Sequence, residues 1–196
     1  MFFLRHGFVL VLLVVACASV GDAQDKEKPF PTNDEINLLF TQADRAMAQY
    51  KATVDLEERQ FAGTPGETEA VAKDKEVSSG WEAMSKGMKT KPEAFNSRFG
   101  LEIVLLLDDA SRNALLCSNQ ASLRIPTSDN ATDAEVWLHL VQSCSDTSTL
   151  IYTVSETAAA LYQKYLDAAE QLAKESVEVA TKCTDILKNN AASQKH

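Results

Sequence analysis

The sequence predicts an all-α protein, an antiparallel up-down four-helix bundle with a long C-terminal helix. Three observations carry that expectation. From Ile36 onward, apolar residues recur at alternating three- and four-residue spacings, which lines them along one face of each helix. Seven glycines and five prolines are too few for the many turns of an all-β fold. Acidic residues open the periodic segments, and Lys89, Lys91, Arg124 and Lys188 lie near their ends, as helix dipoles favour.

The first helix is expected from Thr32, where Thr32 and Glu35 have the spacing of a capping box. Ile36, Phe40, Ala43, Met47, Tyr50 and Val54 follow on one face, with Asp44, Arg45, Gln49 and Lys51 assigned to the others. It ends near Gln60, before Gly63-Thr64-Pro65-Gly66. The second helix starts near Glu67 and carries a weaker stripe of Val71, Val77, Trp81, Met84 and Met88. Gly80, beside Trp81, is read as a point where another backbone approaches.

The third helix is expected to open at Pro92 and run through Phe95, Phe99, Ile103, Leu106, Ala110, Ala114, Cys117 and Ala121. The run Ile103 to Leu107 is apolar on every side, which suits the centre of a bundle. Arg124 sits at the negative end, and Pro126 terminates the helix.

The fourth element begins around Asp129 to Thr132. A cluster of poor helix formers, Ser143 to Thr149, admits a break or kink. The stripe nevertheless resumes in phase at Ile151, Val154, Ala158, Leu161, Tyr165, Ala168 and Leu172, which favours one long helix. It continues weakly through Val179, Cys183 and Ile186, and residues 189–196 are expected to fray. Beyond about residue 168 the third helix offers no partner, which leaves an overhang of ~30 Å. Its apolar seam is read as a surface for a protein partner or homodimer, unless the first helix covers it.

The amino terminus reads as a secretory signal peptide over residues 1–23, a linker over 24–31, then the bundle over 32–188. Arg5 and His6 precede an apolar run from Phe8 to Ala16, too short to span a bilayer, which takes about 20 residues. Cleavage after Ala23 or Ala18 implies a secreted or periplasmic protein. Val14-Val15-Ala16-Cys17 also resembles a bacterial lipobox; cleavage before Cys17 implies lipidation there and a membrane anchor.

Net charge is −9 and survives removal of the leader, which holds one cation, Arg5, and one anion, Asp22. Such a chain repels nucleic acid and anionic membrane faces. Past the leader, the cysteines are Cys117, Cys144 and Cys183. Antiparallel pairing about the loop near residues 126–131 brings Cys117 opposite Cys144, and export favours a disulfide between them. Closing a loop of about 28 residues, it is worth about 3–4 kcal/mol. Cys183 is then the odd thiol, unpaired or intermolecular. Asn130-Ala131-Thr132 is a glycosylation sequon at Asn130 for a eukaryotic secretory pathway.

In size, leader and bundle, the chain resembles plant pectin methylesterase inhibitor-like proteins in architecture. Those have a four-cysteine, two-disulfide framework with an early close pair. Here the first cysteine after the leader is Cys117, so no residue or activity carries over.

No catalytic motif stands out. Glu135 and His139 are four apart, but no second histidine supports a metal set, so no cofactor is expected. Glu57-Glu58 and Asp108-Asp109 point about 100° apart on a helix and are read as solvated faces. The expected function is that of an exported non-enzymatic bundle, protein-binding or structural in the cell envelope or extracellular space. The alternative is a carrier or sensor of a small apolar ligand, with a slot near Phe95, Phe99, Trp137 and Tyr165.

Overall fold

The computed structural model describes residues 30–63, 65–91 and 94–193. The leader, its cleavage sites, Cys17 and most of the linker lie outside them. Among the described residues are four α-helices and no strand: α1, Asn33–Gln60; α2, Pro65–Thr90; α3, Ser97–Ser122; and α4, Ala131–Ser193. The chain divides into two compact units, the bundle Pro31–Tyr165 and a second unit that includes Leu166–Ser193.

In the bundle, the Thr32 hydroxyl accepts from the Glu35 N–H at 3.2 Å, and the Glu35 carboxylate accepts from the Thr32 N–H at 2.8 Å. This is the expected capping box. All six residues of the α1 stripe are buried, joined by Leu39 and Ala46. Gly63, at φ +97°, supplies the left-handed turn after α1. α2 starts at Pro65, two residues before the expected Glu67, because proline is tolerated where the first N–H needs no partner.

α3 starts later than expected. Pro92 lies outside the described residues, and the cap is Asn96, whose side chain accepts from Arg98 N at 2.9 Å and Phe99 N at 3.2 Å. The apolar run of α3 is not enclosed on every side. Ile103 and Leu107 are fully buried, but Leu105 is 52% exposed and Leu101 44%. Only the inward face is covered, so α3 has an outer, leucine-bearing side. A 3₁₀ turn, Ile125–Thr127, follows it and holds Pro126.

Asn130 opens α4, its side chain accepting from Asp133 N at 3.0 Å. α4 then runs without interruption to Ser193, through Ser143 to Thr149 and past residue 189. Its last described turn holds Ala191 and Ala192, strong helix formers.

Polar pairs crossing between helices fix the registers. Lys164 meets Glu35 at 2.7 Å, and Gln49 and Thr53 meet Thr147 at 3.2 and 2.9 Å. Numbers fall along α1 as they rise along α4, so these two helices run antiparallel. Ser111 and Ser148 exchange hydroxyl-to-carbonyl bonds at 3.1 and 2.9 Å, and Ser118 donates to the Val141 carbonyl at 3.3 Å, so α3 and α4 also run antiparallel. Between α1 and α2, Asp44 accepts from Trp81 Nε1 at 3.0 Å and Ser85 Oγ at 2.7 Å, and pairs with Lys89. Asp44 and Gln49 therefore join helices rather than occupy a solvent face.

The core has two clusters. The larger packs Phe40, Met47, Tyr50, Trp81, Ile103, Leu107 and Ile151 with their neighbours. Each fully buried aliphatic side chain there stabilises the fold by roughly 1.5–3 kcal/mol. The smaller joins Phe61, Cys117, Ala121, Leu140 and Cys144, with Trp137 against Phe61 at 5.0 Å between ring centroids. Cys117 and Cys144 are bonded, their Cα atoms 5.9 Å apart.

Two glycines differ in what surrounds them. A Cβ on Gly100 would lie 2.6 Å from Tyr162 Cδ2 and 3.2 Å from Phe95 Cζ, so glycine lets these rings close over α3. A Cβ on Gly87 meets nothing within 4 Å; one on Gly80 meets only the Leu106 side chain, at 3.6 Å, and no backbone. Gly87→Ala should raise stability by about 0.5–1 kcal/mol. Gly100→Ala should lower it by about 1–3 kcal/mol. Urea unfolding midpoints of the two variants check both signs.

Candidate functional site

Three features of the described residues carry chemistry or contact surface. The first is the distal stretch of α4. Residues 171–182 are exposed throughout. Leu172, Val179 and Ile186 are 44%, 49% and 39% exposed, and all three lie on the face that carries half-buried Cys183. Lys174 pairs with Glu170 at 2.6 Å, and Gln171 donates to Glu175 at 2.9 Å, on the polar sides.

The second is a groove of about 670 Å³ between α2 and α3. Gly80, Ala83 and Gly87 form its floor on α2, facing Phe99, Leu105 and Leu106 on α3. Lys91, Glu102 and Asp109 stand at its edges. Gly80, Ala83 and Gly87 leave this space beside Met84 and Met88 of the same helix, and it is of small-ligand size. The expected aromatic slot does not form. Phe95 stacks edge-on with Tyr165 at 6.1 Å in the larger cluster, whereas Trp137 belongs to the smaller one. Trp137 and Tyr165 lie on one helix, 28 residues apart by number, and so ~42 Å apart along it.

The third is a buried acidic pair. Glu57 and Asp74 are 2% and 4% exposed, and Asp74 is hydrogen-bonded with Glu57, Tyr50 and Asn113. Two carboxyls bond to each other only with a proton between them. Burial pushes the Asp74 carboxyl above its ordinary range, against the opposing pull of its three hydrogen bonds. Burial, then the charge of Asp74, pushes the Tyr50 phenol up as well. Glu57 therefore departs from the expected solvated face, while Glu58 pairs with Lys75 at the surface, at 2.6 Å. A pocket of about 350 Å³ reaches the pair, and its only sulfur, in Cys117, is in the disulfide. Lys73, Asn113 and Gln120 line it beside the acids.

The remaining candidates are dispersed. Asp108 pairs with Arg112 at 2.6 Å, and Asp109 lies at the groove. His139 and Glu135 are exposed. Among the described residues, no group of three or more His, Cys, Asp or Glu side chains converges for a metal ion. Asn130 is exposed, and its side-chain oxygen caps α4. No described helix is long and apolar enough to cross a membrane.

The acidic pair was missed because burial of Glu57 depends on α2 crossing it; the only signal was a carboxylate one helical turn from Val54 on the apolar side. Comparison with known protein families, curated proteins and solved structures gives no match.

Glu35 and Asp74 should give opposite pH signatures. The bond from Lys164, then that from the Thr32 N–H, lowers Glu35 from 4.5 to about 2. Its contribution is complete above pH 4.5 and is lost as pH falls towards 2. Asp74 is raised, so its contribution is greatest below its ordinary 3.8 and is lost as pH rises through the shifted value. Urea midpoints across pH check this: Asp74→Asn should exceed the parent chain at pH 7 and converge with it in acid, whereas Lys164→Met should lose stability at pH 7 and converge near pH 2.

Proposed function

We propose that this chain is an exported, non-catalytic helical protein that works by associating with protein through the distal part of α4. The observation that supports this reading most strongly is the exposed strip of Leu172, Val179 and Ile186 on a helix that stays intact to Ser193. Soluble monomers expose isolated apolar side chains freely, but a strip at regular helical spacing is the mark of a contact surface. The leader pattern of residues 1–23 and the Cys117–Cys144 bond support an oxidising destination outside the cytosol.

The groove between α2 and α3 favours a second reading, carriage of a small apolar ligand. Its floor at Gly87 is open, so Gly87→Leu would fill the groove, and an apolar fluorescent probe would distinguish the two by binding the parent chain alone.

Site-specific photo-crosslinking in the native host tests the leading reading. A photoreactive residue at position 179 should give discrete protein adducts, absent when it replaces Thr181 on the polar side. Equal labelling at both positions, or none at 179, would contradict association through this strip.

A further inference from the structure

The distal strip of α4 has an internal pattern that selects its own partner. Leu172, Ser176, Val179, Cys183 and Ile186 follow spacings of four, three, four and three, the seam of a coiled coil. Large residues occupy one seam position, at Leu172, Val179 and Ile186. Small ones occupy the other, at Ala169, Ser176 and Cys183. Two parallel copies would stack large on large and small on small, leaving gaps at every second layer. Two antiparallel copies set each large residue against a small one and fill every layer.

We propose that residues 166–189 pair with the same segment of a second copy as an antiparallel two-stranded coiled coil, with Leu172 on Cys183 and Glu175 against Lys182. This rests on the association reading above and names the partner. Ser176 then meets Val179, and Ala169 meets Ile186. On one flank of the seam, Ala173 meets Ala180, and Leu166 meets Leu187, which is 51% exposed in the single chain. On the other flank, Glu175 faces Lys182 twice, once on each side of the two-fold axis. A slip of one heptad in one direction sets Lys182 against Lys182, and in the other Glu175 against Glu175. Like charges so placed oppose both slips, and a single register remains. In that register the two Cys183 side chains are offset by 11 residues, ~16 Å. The dimer is therefore not held by a bond between them.

Sedimentation equilibrium of the full chain, combined with cysteine crosslinking, tests the pairing. The parent chain should sediment as a reversible dimer. Val179→Asp should raise its dissociation constant by at least about tenfold without loss of helical circular dichroism. Leu172→Cys should form a disulfide-linked dimer on mild oxidation through Cys183 of the partner subunit, and Leu172→Cys/Cys183→Ser should not. Glu175→Lys should weaken the dimer, and Glu175→Lys/Lys182→Glu should restore it. Ready Cys183–Cys183 crosslinking in the parent chain would overturn the antiparallel register. A monomer in sedimentation, with discrete adducts from position 179 to another protein, would overturn self-pairing and leave the association reading standing. A monomer with no adducts would overturn both.

Discussion

The buried hydroxyls in the middle of α4 are the constraint on which the structure depends. Thr147 is completely buried, and Ser148 nearly so, in a segment of intrinsically weak helix formers. A buried hydroxyl without a partner costs roughly 1–3 kcal/mol. Here each has one: Thr147 meets Thr53 and Gln49 of α1, and Ser148 exchanges bonds with Ser111 of α3. Ser143 joins the same network through Thr53 at 3.1 Å. The segment that would locally favour a break is held helical from both sides. Because these bonds have specific partners, they also set the register of α4 against α1 and α3. On the outer face, Thr149, Thr153 and Thr157 donate back to carbonyls one turn earlier, which satisfies their hydroxyls at a slight cost to the helix they share those carbonyls with.

The other polar contacts are organised around that register. With α1 and α4 aligned at Thr147, Glu35 comes to lie beside Lys164, and one carboxylate both caps α1 and joins α4. With α3 and α4 aligned at Ser111 and Ser148, Cys117 and Cys144 come within bonding reach six and four residues away along their helices. α2 is attached chiefly through α1, by Asp44. Burial raises the Asp44 carboxyl, but bonds from Lys89, Ser85 and Trp81 outweigh it and hold the group ionised. Where α2 carries Gly80, Ala83 and Gly87, a groove opens between it and α3.

Features written in local sequence were the legible ones. The Thr32–Glu35 capping box and the end of α1 depend on neighbours a turn away, and the apolar spacing alone places most of the core. The proximity of Cys117 and Cys144 followed from pairing two stripes about one loop. What could not be read depends on which helix lies opposite. Asn96 as the cap of α3 competed with Pro92, an equally reasonable start. Leu105 looked central because its own sequence neighbours are apolar, yet it lies half-exposed at the groove between α2 and α3. Glu57 looked solvated because nothing in α1 announces the crossing of α2. The aromatic slot failed for a simpler reason: Trp137 and Tyr165 share a helix and are too far apart on it to meet.

Continuity of α4 through Ser143 to Thr149 links the bundle's register to an exposed distal strip within a single element. Residue-resolved amide hydrogen exchange across α4 tests that continuity most directly. The buried hydroxyl network predicts protection at residues 147–153 comparable to that at Leu161, with no gap along the helix. Fast exchange confined to these residues, with protection on either side, would show two helices meeting at a break and contradict the account.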